Sequence, residues 1–304
     1  CALPGAYGLV MQTNFSSDQM SQPAIAIAND ILRKCVHCGF CTATCPTYVL
    51  LGDERDSPRG RIYMVKHMLE NAKPAPASVV KHIDRCLSCL SCSSTCPSGV
   101  DYMHLIDHSR AYVEKTYSRA LGDRLLRVLL ALVLPNPTIF RLSLIAAKLA
   151  QPFKALMPGR LKGMIAMAPG KIPSPSSFDV PQVFKAIGEK RMRVALMTGC
   201  AQKVLRPSIN EATVRLLTRH GCEVVVAANA SCCGALVHHL GKEAAAHEAA
   251  RNNVAAWMVE VEGDGLDAIV INASGCGTML KDYGFMLQGD PVWAKKAAQI
   301  ASLS

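Results

Sequence analysis

Two stretches of this chain share one spacing, C-x2-C-x2-C-x3-C-P: Cys35-Val-His-Cys38-Gly-Phe-Cys41-Thr-Ala-Thr-Cys45-Pro46 and Cys86-Leu-Ser-Cys89-Leu-Ser-Cys92-Ser-Ser-Thr-Cys96-Pro97. Such a run holds a [4Fe–4S] cluster by cysteine thiolates. Three cysteines two residues apart can curl around one face of a cubane, which leaves the fourth ligand to come from elsewhere. The proline after each fourth cysteine fixes φ and offers no N–H, so the chain turns away at once. Zinc sites usually set two C-x2-C pairs across a longer loop, and a disulfide framework suits a small secreted chain. Neither fits four cysteines inside eleven residues, repeated.

In two-cluster ferredoxins the cysteine before the proline ligates the other cluster. The spacing therefore predicts Cys35, Cys38, Cys41 and Cys96 on one cluster, with Cys86, Cys89, Cys92 and Cys45 on the second. Gly39, Ser88 and Ser91 are small enough to let main-chain amides approach the sulfurs. Helical stretches lead into both runs, and Arg61 to Glu70 carries Ile62, Val65, Met68 and Leu69 at helical spacing. That helix is expected between the two runs, and a further helix is expected from Asp101 to Tyr117.

With 304 residues, half of them hydrophobic, the chain can fold as two or three units. Fourteen cysteines in an ordinary globular composition point to a reducing compartment where thiols serve as metal ligands. Cys1 to Val10 lacks the basic start and apolar block of a signal peptide, and Met11 opens what looks like a natural start, so Cys1 is treated as a bystander. A cytoplasmic location is expected. The longest apolar run, Val128 to Leu134, is far short of the about 20 residues that span a bilayer. The net charge of +10 is concentrated: Lys115 to Arg193 holds 14 Lys or Arg against Asp123, Asp179 and Glu189. With only 5% aromatic residues and no stacking motif, nucleic acid is not the expected partner. An acidic protein surface or anionic headgroups fit better. Leu121 to Ala150 is amphipathic and basic, expected as core-packed helices with a solvated basic face, or as an element that docks on a membrane surface or partner.

From Arg193 onward strands and helices alternate, which implies a parallel sheet covered by helices. Strands are expected at Val194 to Met197, Glu223 to Ala228 and Ala268 to Asn272, with helices at Ser208 to His220 and His238 to Glu262. Cys200, Cys232 with Cys233, and Cys276 then follow successive strands, at the edge where ligand crevices open. They form a candidate third metal or redox site, with ordinary core thiols as the alternative. Cys222 is expected in the core. The fold class expected is therefore α+β and multidomain: an N-terminal extension at 1–23, an α-helical two-cluster ferredoxin-type module at 24–118, a basic helical segment and linker at 119–190, and a C-terminal α/β parallel-sheet domain at 191–304.

The chain resembles the iron–sulfur subunits of bacterial glycolate oxidase, within the wider group that joins two ferredoxin-type clusters to cysteine-rich CCG domains. The residues that carry this are 35–48, Asp56-Ser-Pro-Arg-Gly-Arg-Ile-Tyr63, Cys92-Ser-Ser-Thr-Cys-Pro-Ser-Gly-Val100, Ser231-Cys-Cys-Gly-Ala235 and Ala273-Ser-Gly-Cys-Gly277. Cys200, Cys232-Cys233-Gly234 and Cys276 match the CCG pattern, but Ala273 stands where the pattern has a cysteine. A second CCG half is expected in such proteins and is absent up to Ser304, so the sequence reads as a truncated subunit. The resemblance implies electron transfer in an oxidoreductase complex. Flavin-containing 2-hydroxy-acid oxidase subunits would oxidise glycolate to glyoxylate, with D-lactate as a further candidate substrate, and this chain, with no catalytic residues of its own, would pass electrons to a quinone-linked membrane acceptor. It would sit in the cytoplasm, peripheral at the inner face of the cell membrane. Corresponding subunits of anaerobic glycerol-3-phosphate dehydrogenase, lactate utilisation or heterodisulfide reductase are the nearest alternatives. A nucleic-acid-binding protein with structural clusters and a zinc scaffold are alternatives of other classes.

Overall fold

The computed structural model describes residues 11–157 and 159–304. The first ten positions of the N-terminal extension, Cys1 among them, and the linker residue Pro158 lie outside the described residues. The described residues divide into two compact units, one of 11–120 with His238–Lys242 and one of 121–237 with 243–304.

The first unit is helical: α1 (Ser17–Met20), α2 (Pro23–Arg33), α3 (Phe40–Ala43), α4 (Pro46–Leu51), α5 (Pro58–Asn71), α6 (Ala77–Asp84), α7 (Ser91–Thr95) and α8 (Tyr102–Thr116). Its core joins Ile31 and Leu32 of α2 to Ile62, Val65, Met68 and Leu69 of α5, Ile83 of α6, and Leu105 and Ile106 of α8. Each such side chain, fully buried, contributes about 1.5–3 kcal/mol. The apolar spacing expected for α5 is the face it buries. Ser57 starts that helix by accepting from the Gly60 N–H at 3.0 Å, with Pro58 at the first helical position, where a missing N–H costs nothing.

The second unit begins with α9 (Leu121–Val133), α10 (Pro137–Ala150) and α11 (Gly159–Ala166) and continues as an α/β domain. Strands β1 (Gln182–Phe184), β2 (Met192–Met197), β3 (Cys222–Val226) and β4 (Ala268–Ile271) form one sheet in the order β1-β3-β2-β4. The three expected strands pair in parallel, while β1, which the sequence reading did not assign, adds to β3 antiparallel, so the sheet is mixed. Val194 and Leu196 of β2 pack on one face with Val214 of α13 (Ser208–Arg219), which follows the short α12 (Gln202–Leu205). Ala195 and Met197 turn to the other face, against Val254 and Trp257 of α15 (Glu243–Glu262). Burial on both faces explains the unbroken apolar run of β2.

The single helix expected over 238–262 is two, α14 (Ala235–His239) and α15, broken at Gly241, whose φ of 76° no helix accommodates. Helices α16 (Ser274–Lys281), α17 (Tyr283–Met286) and α18 (Ala294–Ser302) complete the unit. Cys222 is buried at the start of β3. The expectation that 121–150 packs into a core is met by the buried Phe140 and Leu144 of α10 and by the partly buried Ala131, Val133 and Leu134; α9 has no fully buried residue, and Leu125 and Leu132 are 70% and 64% exposed. No helix among the described residues is long and apolar enough to cross a membrane.

Candidate metal centres

The two cysteine runs repeat in backbone as well as in spacing. His37 and Ser88 both have positive φ, 53° and 50°, and so do Gly39 and Leu90, 86° and 57°. The last two start the short helices α3 and α7 at the same place in each run. Glycine enters this left-handed conformation freely; serine and leucine do so against a steric cost that is characteristic of functional loops. Leu90, and not the small Ser91, is thus the counterpart of Gly39.

Each run borders a cavity. The first is lined by Cys35, Cys38, Cys41 and Cys96, and the second by Cys86, Cys89 and Cys45, with Cys92 on both. Pro58 and Tyr102 also face both cavities, so the start of α5 stands between the two sites.

The thiols crowd one another. Burial pushes the Cys35 thiol up, and the neighbouring Cys96 and Cys38 push it further, partly offset by the His37 backbone N–H. Burial, with Cys86, Cys41, Cys45 and Cys89 nearby, pushes Cys92 up to about 12. Four sulfurs so placed ionise together only around cationic metal, and a soft, all-thiolate donor set suits an iron–sulfur cluster. The residues present therefore fit the group that their spacing implies.

The second unit gathers its own thiols at the carboxyl ends of the parallel strands. Cys200 follows β2, Cys232 and Cys233 follow β3, and Cys276 lies in the first turn of α16 after β4. The Sγ atoms of Cys200 and Cys232 are 3.5 Å apart, and Cys232 and Cys276 lie close enough to Cys233 to push its thiol up. Hydrogen bonds to Cys200 and Cys233 hold Cys232 below its ordinary value and push those two partners up. All four candidate cysteines are brought together, and Ala273 stands as the N-cap of α16. Gly234 meets two demands, a φ of 84° and an approach of α15 so close that a Cβ would lie 3.0 Å from that of Ala249. His238 and His239 turn to Asp107 within the first unit, at 3.2 Å and 3.6 Å.

Supporting residues escaped the sequence reading. The buried Asn253 accepts from the Ser231 N–H at 2.8 Å and donates to the Cys232 carbonyl at 2.9 Å, while the Tyr283 hydroxyl donates to the Cys233 carbonyl at 2.9 Å. Together they fix the Cys232–Cys233 loop. An amide on the apolar face of α15, beside Ala250, Val254 and Trp257, was the signal available. In the first unit, Asp56, Arg61 and His82 form a buried network beside the second cavity. Asp53, Asp56 and His82 also converge, but Arg55 occupies Asp53, and Arg61 and Arg85 occupy Asp56.

Comparison with known proteins follows the same division. A family model for a 4Fe-4S dicluster domain matches residues 34–101, and one for a cysteine-rich domain matches 194–281. The glycolate oxidase iron-sulfur subunit of Escherichia coli (strain K12) is 43% identical over 97% of this chain and 69% of its own length. The probable glycolate oxidase iron-sulfur subunit of Bacillus subtilis (strain 168) is 32% identical over 88% of this chain and 62% of its own length. Lactate utilization protein A of Bacillus velezensis is 32% identical over 36% of this chain and 44% of its own. The chain thus spans between three fifths and seven tenths of the two glycolate oxidase relatives. No solved structure matches it.

Proposed function

The chain belongs to the family of glycolate oxidase iron-sulfur subunits, and from that premise we propose that it carries electrons through two [4Fe–4S] clusters with exchanged ligands. Cys35, Cys38, Cys41 and Cys96 would hold the first, and Cys86, Cys89, Cys92 and Cys45 the second. The observation that carries this reading is the lining of the two cavities, where the last cysteine of each run faces the three leading cysteines of the other. Thiolate-held clusters accept and release single electrons, which matches them to a flavin that takes up a pair and gives it out singly. Residues 24–118 serve as the cluster module and 191–304 as the cysteine-rich domain, joined by 119–190. Cys200, Cys232, Cys233 and Cys276 are assigned to a third metal site.

The flavin-containing partner subunits would oxidise glycolate to glyoxylate, and electrons would leave towards a quinone-linked acceptor at the inner face of the cell membrane. The exposed apolar side chains of α9, alternating with Arg124 and followed by Lys148 and Lys154, support docking at such a surface.

The ligand exchange is tested by anaerobic purification with iron and inorganic sulfide counted. About eight irons and eight sulfides are expected from the two runs, and more if the third site is filled. Cys45→Ser is expected to disturb the electron paramagnetic resonance signal of the site built on Cys86, Cys89 and Cys92, with the other signal unchanged. Disturbance confined to the site of Cys35, Cys38 and Cys41 would refute the exchange, and zinc in place of iron and sulfide would refute the clusters.

A further inference from the structure

The two cysteine quartets repeat each other in spacing and backbone, but their electrostatic surroundings differ. Beside the second quartet lies Arg61, only 1% exposed, whose guanidinium donates to Cys45 Sγ at 3.8 Å, to the His82 carbonyl at 2.8 Å and to Thr47 Oγ1 at 3.0 Å. The Tyr102 hydroxyl, on a buried ring, donates to Cys86 Sγ at 3.6 Å. Asp56 is shared by Arg61 at 3.3 Å, Arg85 at 2.8 Å and His82 at 2.8 Å. Asp53 stands close to Asp56 and His82 but is paired with Arg55 at 2.8 Å, so three guanidinium groups face two carboxylates and positive charge remains whatever the state of His82.

Among the described residues no side chain donates to a sulfur of the first quartet, where the nearby main chain of His37 and of Arg59 only partly offsets the effect of burial on Cys35 and Cys41. The Arg59 guanidinium is matched by Glu54 at 2.6 Å, and about a third of its side chain is exposed, so solvent and its partner screen its charge. Burial does not account for a higher potential at the second site, because Cys45 and Cys92 are buried there against Cys35 alone in the first, and burial by itself disfavours added negative charge. Hydrogen bonds to sulfur and local net charge are what set a cluster's reduction potential. Uptake of an electron makes the site more negative, which a buried cation and a hydroxyl donor on its sulfurs favour.

Resting on the two-cluster reading above, we propose that Arg61 and Tyr102 are positioning residues that hold the site of Cys45, Cys86, Cys89 and Cys92 at a higher reduction potential than the site of Cys35, Cys38, Cys41 and Cys96. An electron entering the module then collects at the second site.

The test is a potentiometric titration of the full chain, followed by electron paramagnetic resonance, on preparations with iron and sulfide counted. Wild type is expected to show two one-electron steps, and Cys45→Ser to perturb the higher one. Tyr102→Phe, which removes one hydroxyl and is the variant least apt to unfold, is expected to lower the higher step and leave the other in place. The expected shift is at least about threefold in the ratio of reduced to oxidised site at fixed poise, about 28 mV on a scale of 59 mV per tenfold for one electron. Arg61→Lys, which keeps the charge but not the planar fork, is expected to lower the same step.

Coincident steps in wild type, a higher potential at the first site, or a Tyr102→Phe step that stays in place would overturn the assignment of potentials while leaving the ligand sets standing. Cluster content of one per chain, or a Cys45→Ser effect confined to the site of Cys35, Cys38 and Cys41, would instead remove the ligand sets, and the proposal with them.

Discussion

Asp56 has no solvent exposure and three partners, Arg61, Arg85 and His82, two of them themselves buried. Burial pushes its carboxyl up, but hydrogen bonds from His82 and Arg85 together outweigh burial and hold it below the usual carboxylate range. Removing one member of a buried ion pair leaves the other uncompensated, at a cost of about 3–5 kcal/mol. Asp56→Asn is therefore expected to lower stability by that order, measured by urea unfolding at neutral pH. The sign with pH follows from the depressed folded value. The stabilisation is complete above the unfolded value of about 3.9 and is lost as pH falls through the lower folded value. The gap between wild type and Asp56→Asn should accordingly close in acid and be widest near neutrality; a gap that stays constant from pH 7 to strong acid would contradict this account. Arg61 was hidden from sequence reasoning for a physical reason. A charge beside Ile62 on a core-facing helix looks like a misfit until Asp56 and the cysteine runs are folded against it.

At the scale of elements, the first turn of α5 is the most constrained joint in the first unit. Ser57 caps the Gly60 N–H and donates to Glu54 at 2.9 Å. A Cβ at Gly60 would lie 2.0 Å from the Glu54 carbonyl oxygen, and since the obstacle is backbone, the turn before the helix would have to shift. Gly60→Ala is expected to cost about 1–3 kcal/mol despite its higher helix propensity, as a lowered unfolding midpoint would show. The same change at the open Gly122 of α9 should be neutral or stabilising. Much of this element structure was legible in advance. Apolar spacing located α5, and the alternation of strand and helix after Arg193 located β2, β3 and β4. The reading failed where tertiary contact decides. The three-residue β1 is too short to show a period, and it forms because β3 offers it an edge. The break at Gly241 lies inside a sequence whose helical composition continues on both sides. For α9 the amphipathic period was plain, but period alone does not say what its apolar stripe rests on.

Across the whole molecule, charge and apolar exposure coincide. The segment that supplies the net charge of +10 is also the one that leaves Leu121, Leu125, Leu132, Leu142 and Leu149 exposed. Scattered surface leucines are ordinary, but a series of them on consecutive basic helices is what the docking proposed above requires. The full chain is expected to float with vesicles containing anionic lipid, to bind zwitterionic vesicles less, and to dissociate as salt is raised. Leu125→Glu combined with Leu132→Glu should abolish flotation without changing iron content; retention of binding by that variant would place the contact elsewhere. Because both cavities in the first unit draw on cysteines from both runs, their assembly has an order imposed by synthesis. On the ligand sets proposed above, a nascent chain that has emerged only as far as Pro46 offers three of the sulfurs of the first centre, and the fourth lies fifty residues further along. The second centre would then have its full set once Cys92 emerges and the first only with Cys96, so a product stalled before Cys92 would complete neither.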